Sequence, residues 1–154
     1  MLNFGQRCIL CNNAIDTLSH LFQHCQVGLQ LRNKRDNLLN YYNNVNNDHN
    51  NVILNNGDMV YSFVDNYDWP NNVMQFIITL SNYSMYRTKM KKYFDHSDNY
   101  TIENPIYSFC NRLKLRITCD HKRLNLEKFK EIWEPNVPRT LFTYDNEKIL
   151  TWHI

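Results

Sequence analysis

Apolar side chains recur every three or four residues along three stretches of the chain, the signature of amphipathic helices. Residues 27 to 42 set Val27, Leu31, Leu38, Leu39 and Tyr42 around a polar, charged middle holding Arg32, Lys34 and Arg35. Asp68-Trp69-Pro70 opens the most regular stretch, because proline suits a first helical turn. Val73, Phe76, Ile77, Leu80 and Ser84 follow at helical spacing, and the pattern runs on through Met85, Tyr86 and Met90 to Phe94. The third stretch starts at Pro105 and aligns Ile106, Phe109, Cys110, Leu113 and Ile117. This stripe changes phase between Thr118 and Lys122 and resumes as Leu126, Phe129, Ile132 and Trp133. A single 29-residue helix would need a kink there or a partner wrapped around it, and Pro135 and Pro138 end the pattern.

Weaker elements lie between and beyond these. A short helix is expected from about Asp58 to Asp65, a polar link over 95–104, and either short strands or simple straps at Leu141–Tyr144 and Ile149–Trp152. Ahead of the first long helix, Asp16 or Thr17 can cap a short helix carrying Leu18, His20, Leu21 and Phe22. The fold class expected is mainly α: a small N-terminal zinc knuckle and helix (1–26), a helical bundle (27–134) and a tail (135–154), forming one compact unit.

Composition sharpens this picture in two places. Asparagine occupies 24 positions and crowds into residues 40 to 56, where it favours turns and local backbone bonding, so a solvent-exposed loop is expected. The net charge of +2 is small, but it is unevenly spread. Residues 1–82 carry four basic and six acidic side chains, against eleven and five in residues 83–130. A partner with phosphates would be steered to the second half, although solvated helix faces give the same pattern. No apolar run reaches the length of a membrane span, and the first residues lack a secretory signal pattern. A nuclear or cytoplasmic location is expected.

The chemistry concentrates in CILCNNAIDTLSHLFQHC. Cys8 and Cys11 form a two-residue-spaced pair, with His20 and Cys25 following nine and fourteen residues after Cys11. Mixed thiolate and imidazole ligands in a closed four-coordinate shell suit one structural Zn2+. A closed shell leaves no position for water or substrate, which argues against catalysis at the ion. In an α-helix, His20 and His24 share a face, whereas Cys25 lies roughly 140° round the axis from His20 at about 100° per residue. The helix must therefore loosen near His24, and exchange of His24 for His20 or Cys25 stays open. Cys110 and Cys119 fit small buried or half-buried helical positions.

FGQRCILCNNAIDTLSHLFQHC resembles the zinc-binding segment in the C-terminal region of reverse transcriptases from non-long-terminal-repeat (LINE-like) retrotransposons. There, a two-Cys knuckle precedes a helix of the form acidic-Thr-x-x-His-Leu-Phe-x-x-Cys, met here by Asp16 to Cys25. The resemblance carries the family's ligands onto Cys8, Cys11, His20 and Cys25. More loosely, NNVMQFIITLSNYSMYRTKMKK and LEKFKEIW look like later helices of the same region.

The resemblance implies a non-catalytic module that contacts RNA or DNA backbones with little sequence specificity, alongside the rest of a retroelement protein. Candidate phosphate contacts are Lys89, Lys91, Lys92, Arg112, Lys114, Arg116, Lys122 and Arg123, helped by Arg7, Arg32 and Arg35 near the knuckle. Tyr83, Tyr86 and Tyr93 can stack on bases or pack within the fold. The alternative is a structural or protein-interaction zinc domain without nucleic-acid affinity. An enzyme is not expected: the polymerase's paired aspartates are absent, and Asp65 and Asp68 lack the further carboxylates a two-metal nuclease needs.

Overall fold

A computed structural model describes residues 5–43, 72–95, 97, 101–134 and 141–154. The expected helix at 58–65, most of the Asn-rich run, the Asp65/Asp68 pair and Pro135/Pro138 lie outside the described residues. Among the described residues, four α-helices follow the cysteine-bearing segment: α1 (Leu29–Asn43), α2 (Asn72–Phe94), α3 (Pro105–Arg123) and α4 (Leu126–Trp133). The tail adds two strands, β1 (Phe142–Tyr144) and β2 (Ile149–Trp152), so the fold is mainly helical, with the Cys/His cluster ahead of the helices.

The three long helices pack on one another, and the segment around His20 packs on α2. Their apolar stripes meet in one core: Leu31, Leu38 and Leu39 from α1, Met74, Ile77 and Ile78 from α2, and Phe109, Leu113 and Ile117 from α3. Leu10, Leu21 and Phe22 extend that core to the knuckle. Burial of this kind, rather than helix propensity, holds such elements in place.

The phase shift after Ile117 is a true break. Leu124 and Asn125 are extended, and the Asn125 side chain accepts from Lys128 N at 2.9 Å to cap α4. Asp120 then draws α4 back onto α3, its Oδ2 accepting from Trp133 Nε1 at 3.1 Å and Arg116 Nε at 2.8 Å. Asn125→Ala is expected to cost about 1 kcal/mol, the usual value of such a cap. Urea unfolding should show it as a lower midpoint with an unchanged slope.

Of the two readings for the tail, the structure has strands. β1 and β2 pair antiparallel with Phe142 opposite Trp152, Thr143 opposite Thr151 and Tyr144 opposite Ile149, with an irregularity between Thr143 and Tyr144. The Asp145 carboxylate accepts from the backbone N–H of Glu147 and of Lys148, both at 2.8 Å, which fixes the connecting turn.

One expectation needs correction. Arg32 and Arg35, expected to help hold phosphates near the knuckle, are buried, at 9% and 4% exposure. Arg35 sits one turn from Leu31 and from Leu38 and Leu39, so helical geometry carries it into the apolar stripe. Neither guanidinium is presented to an outside phosphate.

Candidate metal centre

The knuckle is a small hairpin. Arg7 and Ile15 form an antiparallel bridge, Cys8 N donates to Ala14 O at 2.8 Å, and Asp16 N donates to Gln6 O at 2.8 Å. Between them the chain turns tightly, with Asn12 N donating to Cys8 O at 2.7 Å. Asn12 takes a left-handed conformation (φ 58°), which asparagine tolerates better than most residues. This turn aims the Cys8 and Cys11 sulfurs to one side.

The other two ligands come from a short helix entered at Thr17, whose Oγ1 accepts from His20 N at 3.0 Å. From His20 to His24 the winding widens to a π turn, closed by Cys25 N donating to His20 O at 2.7 Å. A bond that closes on the fifth residue sets Cys25 nearly above His20 instead of far round the axis. The helix does loosen near His24, and the π turn is how it does so. Cys25 itself leaves the helix at φ −59°, ψ 122°.

Cys8 Sγ, Cys11 Sγ, a His20 ring nitrogen and Cys25 Sγ all lie within 4.8 Å of one another. Cys11 Sγ is 3.2 Å from His20 Nε2, and Cys8 Sγ is 4.0 Å from Cys25 Sγ. With Zn–S of about 2.3 Å and Zn–N of about 2.0–2.1 Å, tetrahedral ligand atoms sit roughly 3.5–3.8 Å apart. The cluster brackets that spacing, and the four residues make a site geometrically consistent with a single structural Zn2+. His24 is exposed and outside the group.

The electrostatics suit a metal. Burial lowers the pKa of His20, reinforced by His24 and Arg32 against an opposing Asp16, which favours the neutral ring that can ligate. Burial pushes the Cys25 thiol up to about 12, with Cys8 and Cys11 nearby adding to the rise. Burial also acts upward on Cys11, but bonds from the Asn13 backbone and the neighbouring thiols outweigh it and the pKa falls. Zinc loading therefore displaces protons, and binding weakens as pH falls.

Around the ligands lie charged groups that spacing did not reveal. Arg32 Nη1 donates to the Cys25 carbonyl at 2.8 Å. Lys89 of α2 reaches Asp16 at 2.6 Å, both side chains largely buried, and so ties the ligand helix to α2. Arg7, by contrast, is exposed and donates to Asn12 O at 3.3 Å.

The other basic candidates are distributed as follows. Lys91 pairs with Glu103 at 2.7 Å, Arg116 pairs with Asp120, and Lys92 is half-buried. Arg112 lies over the Tyr83 ring at 4.8 Å, Arg116 over Phe76 at 5.2 Å and Lys114 over Trp152 at 5.8 Å. Lys122 and Arg123 are exposed, with no ion pair among the described residues. The pairings of Tyr83 with Arg112 and Phe76 with Arg116 run in opposite chain directions, so α2 and α3 are antiparallel. Lys91 and Lys122 consequently lie roughly 30 Å apart along the axis, at about 1.5 Å per residue.

Tyr83, Tyr86 and Tyr93 are 44%, 47% and 59% exposed, outside the core. Asn82, by contrast, is buried in α2. No described helix is long and apolar enough to cross a membrane. No family model, curated protein or solved structure matches the chain.

Proposed function

We propose that this chain is a non-catalytic, zinc-stabilised module of the retroelement reverse-transcriptase type that binds single-stranded nucleic acid along the outer face of α2 and α3. The observation that carries the reading is the exposure of Tyr83, Tyr86 and Tyr93, which recur at helical spacing on α2 together with Arg87. Aromatic faces interleaved with cations stack bases and hold the phosphates between them. Arg112, stacked over Tyr83, carries the same face onto α3. The Lys91–Glu103 pair is exposed, and such pairs exchange readily for a phosphate partner.

A second reading, a structural or protein-interaction zinc domain, draws support from charges used within the chain. Lys89, Lys91 and Arg116 each have a carboxylate partner, and the cations spread along the helices instead of gathering. Fluorescence anisotropy separates the two. Oligouridylate and oligothymidylate are expected to bind at low salt with a steep salt dependence, and duplex DNA more weakly. Tyr83→Ala with Tyr86→Ala should cost about 1–3 kcal/mol for each base that stacks. Lys91→Glu with Lys92→Glu should flatten the salt slope. Equal binding by all these variants, or none by the unaltered chain, leaves the second reading.

A further inference from the structure

We infer that Arg32 is a positioning residue of the metal centre, balancing its charge and fixing the carbonyl of its last ligand. One Zn2+ with three thiolates and a neutral imidazole carries a net charge of −1. This anion lies among ligands that are fully buried at Cys8 and Cys25, 9% exposed at His20 and half-buried at Cys11. A buried uncompensated charge is expensive, and a cation close by offsets the cost.

The surrounding charges leave that task to Arg32. Asp16 faces the site but is paired with Lys89 at 2.6 Å. Arg35 donates through Nε to Asp36 at 2.8 Å. His24 is exposed. Arg32 is buried, permanently charged and bonded to the ligand residue itself, its Nη1 donating to Cys25 O at 2.8 Å. The same carbonyl accepts from Gly28 N at 3.0 Å, so the chain leaving the last ligand is held from two sides.

Room for the guanidinium comes from a glycine. A Cβ at Gly28 would stand 2.8 Å from Arg32 Nη1 and 2.6 Å from Met85 Sδ, so the ends of both flexible side chains would have to shift. Three features thus converge on one contact: the burial of Arg32, its bond to Cys25, and a neighbour without a side chain.

The test reads the metal directly and does not depend on nucleic-acid binding. The full chain is compared with Arg32→Gln, Arg32→Met, Arg32→Lys and Gly28→Ala in three measurements: zinc affinity by chelator competition, the Co2+ spectrum, and alkylation of the zinc-bound thiolates by iodoacetamide. Loss of a group that supports metal ligands costs 10–100-fold in affinity, so Arg32→Gln should weaken zinc at least about tenfold. It should also speed alkylation several-fold, while Co2+ still gives a tetrahedral spectrum. Arg32→Lys should recover most of the loss, and Gly28→Ala should reproduce part of it. Affinity within about twofold of the unaltered chain, with unchanged alkylation, would overturn the inference. If Arg32→Gln does not fold, Met and Lys carry the comparison, since both keep the aliphatic stem and only Lys keeps the charge. Equal affinity and reactivity in those two would overturn it as well.

Discussion

Cys25→Ser is expected to yield a chain with no bound zinc and a loosened segment over residues 5–28, and Cys8→Ser should behave alike. Both sulfurs are fully buried, so serine would leave an unsatisfied hydroxyl where a thiolate should meet the ion. Few backbone bonds hold the knuckle: those from Cys8 to Ala14, Asn12 to Cys8 and Asp16 to Gln6. In isolated zinc-finger peptides the metal supplies roughly 10–16 kcal/mol, essentially all of their folding energy. Here Leu10, Leu21 and Phe22 dock on the helical core, so the long helices should outlast the knuckle. Metal analysis, circular dichroism and limited proteolysis read the three parts separately. His24→Ala is the control and should keep its zinc, because the ring is exposed. Full zinc content in both cysteine variants would remove the ligand assignment.

Phe129→Ala should destabilise the chain by about 3–5 kcal/mol, the range for emptying a buried aromatic site. The ring is 1% exposed and sits at the centre of an aromatic group. His121 lies at 5.0 Å, Tyr144 at 5.4 Å and Phe142 at 5.8 Å between centroids. It is therefore the joint at which α3, α4 and the tail hairpin meet. Amide exchange over residues 142–144 and 149–152 should rise with the loss, since an isolated two-stranded hairpin is marginal in water. Phe129→Leu should cost less, because it keeps much of the apolar volume and leaves a smaller cavity. A loss below about 1 kcal/mol on truncation to alanine would show that the cavity collapses and the joint is not needed.

How far the sequence disclosed this arrangement depends on which physical signal each part uses. Metal ligation leaves a spacing, and Cys8, Cys11, His20 and Cys25 were readable from it, as were α2 and α3 from their period. The apparent misfit of Cys25 on an α-helix was readable as a problem but not as its answer, because π winding has no residue signature. The shift of phase after Ile117 was readable as a kink or a wrapped partner, whereas the structure has a break capped by Asn125. For Arg32 and Arg35, charge points outward while position on the helix points inward, and position prevails. Arg32 follows Gly28 by one turn and Arg35 follows Leu31 by one turn, which already set both inward. Pairings such as Lys89 with Asp16 join distant stretches, and no local pattern encodes them.

That ion pair spans 73 positions of sequence, which bears on the order in which the chain can be assembled. During synthesis at about 5–20 residues per second, the knuckle can take up its ion several seconds before α2 exists to receive it. Through that interval Leu21 and Phe22 lack the α2 surface on which their segment packs. Their final seating waits on closure of a long loop, the slow kind of step in folding.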